Sequence, residues 1–251
     1  MDDFIMVLSA DELERFKRDG CLIFDGLLKG ETLKRYKSIL DEMVDYSKSL
    51  DVSTEGYCLQ PDKDGKDIPG RLFKVQGCCV LEPRLLEIAN DPDICSRARD
   101  LIGSDMHIFG TKFFPMLPKG GTSTSFHTDN YYFETDSDKV LSCGIYYEDT
   151  SLENACLSVL KGSHTSGDEF KHVSGKGEYS HGDWLDVDED KVFNIECPAG
   201  TVVLFSANLV HGAGQNNSNR TRYSTAWHYI PDDLELDQFP FGEYSDRYAV
   251  R

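Results

Sequence analysis

Apolar residues recur every three or four positions in the first 104 residues and at shorter, strand-like intervals after that. The first part predicts three helical segments, at residues 9–18, 31–50 and 82–103, the last as two short helices around Pro92. The first segment opens with a capping box from Ser9 to Glu12. A short strand is expected at Cys21–Phe24, and the polar, turn-rich residues 51–70 predict a surface loop.

From His107 onward, short apolar runs alternate with turn clusters, which predicts a series of strands. They are expected at residues 107–114, 141–147, 156–160, 192–197, 201–205 and 223–230, with a polar loop insertion over 165–191. Helices followed by many strands predict a mainly β fold: a jelly roll (double-stranded β-helix, cupin-like) with the N-terminal helices packed on one sheet. No repeat or linker divides the chain. We therefore expect one domain over 1–251, with a helical part at 1–104 and a jelly-roll core at 105–251.

The charge balance restricts the partners of the protein. Its 251 residues include 26 Lys and Arg against 44 Asp and Glu, a net charge of −18. Such a surface repels phosphate backbones and anionic lipid, so we expect neither nucleic acid nor membrane as a partner. Eight cysteines without a C-x-x-C motif, and no secretory signal, favour a reduced cytoplasmic protein. A monomer or homodimer that binds a small molecule is expected.

Three residues in the β-rich half have the chemistry of a metal site. His127 and Asp129 are two positions apart, so on an extended segment they point to the same side. His211 follows an apolar strand and precedes a glycine turn. Two histidines and one carboxylate form the facial set of non-haem Fe(II) oxygenases, which leaves positions open for O2 and a chelating co-substrate.

A second cluster could hold the co-substrate. Arg222 follows His211 by eleven residues, with a turn between them, and Ser224 shares its side of the next strand. A guanidinium pairs bidentately with a carboxylate, which suits the distal carboxylate of a small chelating acid. Arg220 also shares this side and stays open as the alternative binder.

The chain resembles the phytanoyl-CoA dioxygenase family of iron- and 2-oxoglutarate-dependent oxygenases. The resemblance covers nearly the whole chain, and the motifs that carry it are LSADELERFKRDGCLIFDGLL, SFHTDNYYF, EDTSLENACLSVLKGSH and GTVVLFSANLVHGAGQNNSNRTRYS. It implies a double-stranded β-helix. It also implies Fe(II) on His127, Asp129 and His211, and 2-oxoglutarate on Arg222 and Ser224.

Further residues are candidates for the two ligands. Thr128 stands where the family usually has Gln and could contact 2-oxoglutarate in part, and Lys112 could reach the same co-substrate or remain an exposed strand lysine. Gly144 stands where a bulky aromatic is common and would enlarge the pocket. Which of Trp227 and His228 faces inward stays open. The substrate candidates are Tyr131, Tyr132, Phe133, Arg71, Gln76, Gly144 and Trp227.

The function expected is an Fe(II)- and 2-oxoglutarate-dependent dioxygenase that uses O2 to oxidise an unactivated C–H bond of a small metabolite or natural product. Hydroxylation, desaturation and cyclisation all stay open as outcomes. Two alternatives remain: an acyl-CoA hydroxylase of lipid metabolism, which the absence of a Lys/Arg cluster disfavours, and a non-catalytic jelly-roll binding protein.

Overall fold

The structure is a computed structural model that describes residues 6–120, 123–166, 170–173, 180–181, 185–236 and 247–250. Its α-helices are α1 (Ala10–Asp19), α2 (Gly30–Ser47), α3 (Cys78–Leu81), α4 (Leu86–Ala89), α5 (Pro92–Ile102) and α6 (Asp129–Phe133). Its strands are β1 (Cys21–Phe24), β2 (Tyr57–Pro61), β3 (Asp67–Gln76), β4 (Met106–Phe114), β5 (Ser123–His127), β6 (Leu141–Tyr146), β7 (Leu157–Val159), β8 (Ser180–His181), β9 (Phe193–Ile195), β10 (Thr201–Ser206), β11 (His211–Ala213), β12 (Ser224–Pro231) and β13 (Tyr248–Val250). Short 3-10 turns lie at Pro83–Leu85, Leu152–Asn154, Ser163–Thr165 and Glu189–Lys191.

The strands form two sheets that do not close into a barrel. The large sheet has the order β1-β10-β6-β12-β4-β3-β2, with β13 also paired to β4, and all of its pairs are antiparallel. The small sheet has the order β8-β5-β11-β7-β9, in which β8 runs parallel to β5. This arrangement confirms the mainly β, jelly-roll architecture.

The helices cover one face of the large sheet. Apolar residues of α2 and α5 pack with strand residues such as Ile145, Trp227 and Tyr229 in the largest hydrophobic cluster, and the Tyr229 hydroxyl donates to the carbonyl of Ala89 at 2.9 Å. Because side chains alternate along a strand, the residues between these positions project from the opposite face. His228 of β12 is one of them.

The N-terminal elements begin and end where the sequence marks them. Ser9 caps α1 and forms a capping box with Glu12, and Gly20 ends the helix in the left-handed conformation at φ 80°. Helix α2 ends three residues before the expected Leu50. The segment 82–103 contains α4 and α5 as two short helices on either side of Asp91.

Two local predictions were wrong. Residues 51–70 are not a single loop, because β2 and the start of β3 form an antiparallel hairpin there with two register irregularities. Residues 127–129 are not one extended segment, since β5 ends at His127 and Asp129 begins α6 after the N-cap residue Thr128.

The first 104 residues also supply β1, β2 and β3 to the large sheet, so the helical part is not purely helical. The single domain over 1–251 stays a prediction. Much of the insertion expected over 165–191 lies outside the described residues; within the rest, Leu185 donates its N–H to the carbonyl of Phe126 at 2.8 Å. Among the residues described, no helix combines the length and apolar character that a membrane span requires.

Candidate metal centre

Strand pairing in the small sheet brings two histidines together. His211 on β11 is directly opposite His127 on β5, and the centroids of their rings are 4.3 Å apart. The Nδ1 atom of His127 is 2.7 Å from the carbonyl of Ser125, and that of His211 is 2.9 Å from the carbonyl of Leu209. A carbonyl only accepts, so both Nδ1 atoms carry the proton and both Nε2 atoms are left as lone-pair donors for a metal.

Asp129 completes the cluster from the first position of α6. Its Oδ1 is 3.6 Å from Nε2 of His127, and its Oδ2 is 3.7 Å from Nε2 of His211. One ligand atom from each of the three residues lies within 4.8 Å of the others, and the three side chains are at most 12% exposed. The turn into α6, rather than an extended strand, turns the carboxylate toward the imidazoles.

The electrostatics of the cluster suit a divalent cation. Burial opposes ionisation of Asp129, but the imidazoles of His211, His228 and His127 outweigh it and hold the pKa of the carboxyl well below its usual range. Burial lowers the pKa of His211 to about 4. At neutral pH the cluster therefore contains a carboxylate beside a neutral imidazole, and nitrogen and oxygen ligands of this kind are those of the two-histidine, one-carboxylate iron sites.

A cavity opens beside the cluster, with a volume of about 110 Å³. It lies between the two sheets and is bordered by residues of β4, β5, β6, β11 and β12. The residues that line it are Lys112, Phe114, Met116, Thr124, His127, Asp129, Ser142, Cys143, Gly144, Tyr146, Leu157, Phe205, His211, Gly212, Ala213, Arg222, Ser224, Thr225, Ala226, Trp227 and His228.

Arg222 is a buried cation in the wall of this cavity. It is 3% exposed, its Nη1 donates to the Ser224 hydroxyl at 2.6 Å, and its Cζ lies 5.4 Å from the centroid of the Tyr146 ring. Its Nε has no hydrogen-bond partner among the described residues, and no carboxylate of these residues forms an ion pair with it. Because a buried cation without an anion is costly, this position fits the carboxylate of a bound ligand. Arg220, the alternative binder, borders a different pocket with Lys37 and Glu148.

Lys112 and Gly144 both border the cavity. Lys112 of β4 and Gly144 of β6 are each directly opposite Ala226 of β12, so the three lie in one row across the sheet. A Cβ atom at position 144 would lie 3.3 Å from the Tyr146 hydroxyl, a tight contact, so a larger residue here would press on the Tyr146 side chain.

The aromatic residues that follow the metal motif divide into two groups. Tyr131 and Tyr132 are partly exposed near the metal ligands, with the Tyr132 ring 5.6 Å from that of His127. Tyr131 stacks on His172 at 3.7 Å, and His172 Nε2 accepts the N–H of Thr128 at 3.2 Å. Phe133 instead is buried in a separate apolar cluster.

Three of the other candidates, Thr128, Arg71 and Gln76, do not line the cavity. Thr128 is the N-cap of α6. Arg71 binds the side chain of Gln60 and the carbonyls of Pro118 and Lys119.

Gln76 is directly opposite Lys112 but does not line the cavity. Trp227 borders the cavity, yet it also belongs to the hydrophobic cluster under the helices. Of Trp227 and His228, it is His228 that faces the metal cluster, with Nδ1 3.8 Å from Oδ2 of Asp129.

Nothing in the sequence indicated Ser142, whose hydroxyl donates to Asp129 Oδ2 at 2.6 Å. Both faces of β6 are buried, so the alternation that would have marked Ser142 is absent.

Comparison with known proteins points to one family. A sequence model of the phytanoyl-CoA dioxygenase family matches residues 16–224. The ectoine dioxygenase of Bordetella bronchiseptica is 26% identical over 235 residues, which cover 86% of this chain and 73% of that protein. The crystal structure of EctD from S. alaskensis with bound Fe superposes with a TM-score of 0.76 at 17% identity, over 100% of this chain and 88% of that one. The carbocyclase SnoK from nogalamycin biosynthesis, described as non-heme and alpha ketoglutarate dependent, gives a TM-score of 0.68 at 18% identity, over 95% and 89%.

Proposed function

This chain belongs to the phytanoyl-CoA dioxygenase family, and we propose that it is an Fe(II)- and 2-oxoglutarate-dependent oxygenase that oxidises an unactivated C–H bond of a small metabolite. The observation that carries the proposal is the buried His127, Asp129 and His211 cluster, which shares a cavity with the buried cation Arg222. When bound, iron and 2-oxoglutarate together supply the activation of O2 that such an oxidation requires. The protein's part is to bind, orient and enclose the reactants.

The side chains proposed to bind the metal are already oriented by the protein before the metal binds. The backbone carbonyls that accept the Nδ1 protons of His127 and His211 set the tautomer and the direction of each ring. Asp129 adds the anionic ligand. Three protein ligands leave coordination positions open, which a catalytic site needs and a purely structural metal site does not.

Arg222 is proposed to hold the distal carboxylate of 2-oxoglutarate, with the Ser224 hydroxyl beside it. Its contact with Ser224 and its place over the Tyr146 ring orient the guanidinium before any ligand binds. Lys112 is proposed as a further contact of the co-substrate, because it borders the same cavity. The backbone N–H of Thr128 donates to His172 and Thr128 does not line the cavity, so no co-substrate contact is proposed for it.

The cavity walls also keep water from the reacting atoms. Phe114, Met116, Leu157 and Phe205 line it and supply apolar surface. In a water-poor site, the interactions between Arg222 and an anionic ligand are stronger than at the protein surface.

The substrate is proposed to be a small polar or amphiphilic molecule rather than a macromolecule or a CoA thioester. The three phosphates of a CoA nucleotide call for a basic patch, but many surface cations are already paired with carboxylates. Such pairs include Lys34 with Glu31, Arg35 with Glu87, Lys48 with Asp45, and Arg84 with Glu42 and Glu82. Tyr131, Tyr132 and Gly144 are the proposed substrate contacts. The eight cysteines are all free thiols, which supports a reducing compartment such as the cytoplasm.

A turnover screen tests the proposal. The apoprotein is loaded with Fe(II) and 2-oxoglutarate, exposed to O2 and offered small polar metabolites and a long-chain acyl-CoA, with succinate and substrate oxidation products measured. We expect at least one small metabolite to stimulate succinate formation and to gain an oxygen atom or lose two hydrogens. Asp129→Ala is expected to abolish the signal, whereas Arg220→Ala, outside the cavity, keeps it. Wild-type succinate formation by Asp129→Ala would contradict the oxygenase assignment, and specific turnover of the acyl-CoA alone would contradict the substrate class.

A further inference from the structure

The carboxylate of Asp129 accepts a hydrogen bond from a buried serine that itself contacts a buried histidine. Ser142 Oγ is 2.6 Å from Asp129 Oδ2 and 3.0 Å from His228 Nδ1. Ser142 on β6 and His228 on β12 are directly opposite each other, so both side chains leave the same face of the sheet toward the metal cluster. All three side chains are at most 7% exposed.

The hydrogen-bonded series of His228, Ser142 and Asp129, called the relay below, has only one consistent arrangement of donors and acceptors. A carboxylate only accepts, so the Ser142 hydroxyl must give its single proton to Asp129 Oδ2. Ser142 Oγ then accepts from His228, which requires the proton of the imidazole to be on Nδ1. The direction is therefore His228 Nδ1–H to Ser142 Oγ–H to Asp129 Oδ2.

We propose that Ser142 and His228 are positioning residues that hold Asp129 in the orientation for metal binding. This inference rests on the proposed metal site and adds the two residues that support it. The hydrogen bond engages Oδ2 of Asp129, so Oδ1, which lies 3.6 Å from Nε2 of His127, would be the oxygen offered to the metal. Partners of this kind restrict the rotation of a ligand and tune its basicity.

The surroundings of His228 argue against a simple packing role. Its ring lies between the aromatic rings of Phe109 and Phe133, with centroids 5.2 Å and 4.7 Å away, and its Nε2 has no partner among the described residues. An imidazole here costs desolvation that a phenyl ring would not. The hydrogen bond to Ser142 is the polar contact that offsets this cost.

Binding of Mn(II) to the apoprotein, followed by electron paramagnetic resonance without 2-oxoglutarate or O2, tests the relay apart from turnover. Ser142→Ala is expected to weaken Mn(II) binding about 10–100-fold, the usual effect of losing a hydrogen-bond partner of a metal ligand. His228→Phe keeps the volume and loses the donor, so it should weaken binding to a similar degree. His228→Asn keeps an N–H near the position of Nδ1 and should stay within about threefold of the wild type. Ser47→Ala is the matched control, because Ser47 is also buried but donates to the carbonyl of Val44 within α2.

A double-mutant cycle gives the sharpest outcome. Because His228 acts through Ser142, adding His228→Phe to Ser142→Ala should cause little further loss of Mn(II) affinity. Losses that add in the double variant, or wild-type affinity in Ser142→Ala with a normal melting temperature, would overturn the relay. If His228→Phe does not fold, Ser142→Ala and His228→Asn decide the question.

Asp129→Ala separates the two proposals. Wild-type Mn(II) binding by Asp129→Ala would contradict the metal site itself. Loss of Mn(II) binding in Asp129→Ala, together with wild-type Mn(II) binding in Ser142→Ala, would contradict only the relay.

Discussion

Removal of the Arg222 side chain should weaken 2-oxoglutarate binding steeply while leaving the metal ligands in place. The guanidinium is 3% exposed and contacts Ser224 rather than an acidic side chain of the described residues. Truncating one partner of a buried, hydrogen-bonded charge pair costs roughly 2–5 kcal/mol. That corresponds to an increase of about 30-fold to several thousand-fold in the dissociation constant.

Thermal stability of the Mn(II)-loaded protein reports this change without turnover. A ligand at about 100 times its dissociation constant stabilises the folded state by roughly 2.7 kcal/mol. With affinity weakened about 30-fold, the same concentration stabilises Arg222→Ala by less than about 1 kcal/mol. The melting-temperature increase caused by 2-oxoglutarate should therefore shrink to a third or less, whereas Mn(II) alone should shift both proteins equally.

Two variants control for charge and position. Arg222→Lys should recover only part of the binding, because an ammonium does not offer the two parallel donors of a guanidinium. Arg220→Ala should behave as wild type, since Arg220 borders a separate surface pocket. The reasoning is refuted if Arg222→Ala responds to 2-oxoglutarate as the wild type does, or if Arg220→Ala shows the larger loss.

Three further predictions concern the metal, a half-buried lysine and the backbone. His211→Ala should lower the affinity for Mn(II) by more than about 10–100-fold, the loss expected when a hydrogen-bond partner of a ligand is removed. Equilibrium dialysis measures the bound metal, and a wild-type metal content in this variant would contradict the prediction. Burial, together with the charge of Lys112, lowers the pKa of Lys74 to about 8; the folded protein thus carries a penalty below pH 8 that disappears as the pH rises toward 10.5. Urea unfolding of Lys74→Met should therefore show added stability on the order of 3 kcal/mol at pH 7 and little at pH 10.5, and a gain that does not depend on pH would count against it. Gly200 has a φ of 82°, and a Cβ atom there would collide with the carbonyl oxygen of Leu28. Gly200→Ala should therefore lower the melting temperature by more than Gly65→Ala, whose Cβ would meet nothing within 4 Å. Equal losses in the two variants would argue against the collision.

The candidate metal ligands could be chosen from the sequence because two histidines and one carboxylate form a recognisable ligand set. His127, Asp129 and His211 follow from the chemistry of a facial site and from spacing, although the local reasoning for Asp129 was wrong. The carboxylate reaches the imidazoles through the first turn of α6 and not through strand alternation. The same residues would have been chosen from either geometry, so the error left the site prediction intact.

The supporting residues were not predictable, because they depend on register and on burial of both faces of a strand. In LSCGIY of β6, every position is buried, so Ser142 has no polar-versus-apolar contrast to mark it. Trp227 and His228 are neighbours on β12, and only the pairing with β4 and β6 determines that His228 faces the cluster. The hairpin of β2 and β3 was missed for another reason. Its charged residues, Pro69 and Gly70 are typical of a loop, and the antiparallel pairing of β2 with β3 outweighs that preference.

The metal cluster combines local and long-range determinants in a way that links its assembly to folding of the small sheet. Each histidine is oriented by the carbonyl two residues before it, a contact that is local in the sequence. Bringing the two Nε2 atoms together requires the register in which His211 is opposite His127. A shift of one residue would turn the His211 side chain to the other face of the sheet. The proposed metal site requires this paired arrangement, because its three ligands come from two strands and a helix turn. Metal binding should therefore stabilise this register as well as the fold.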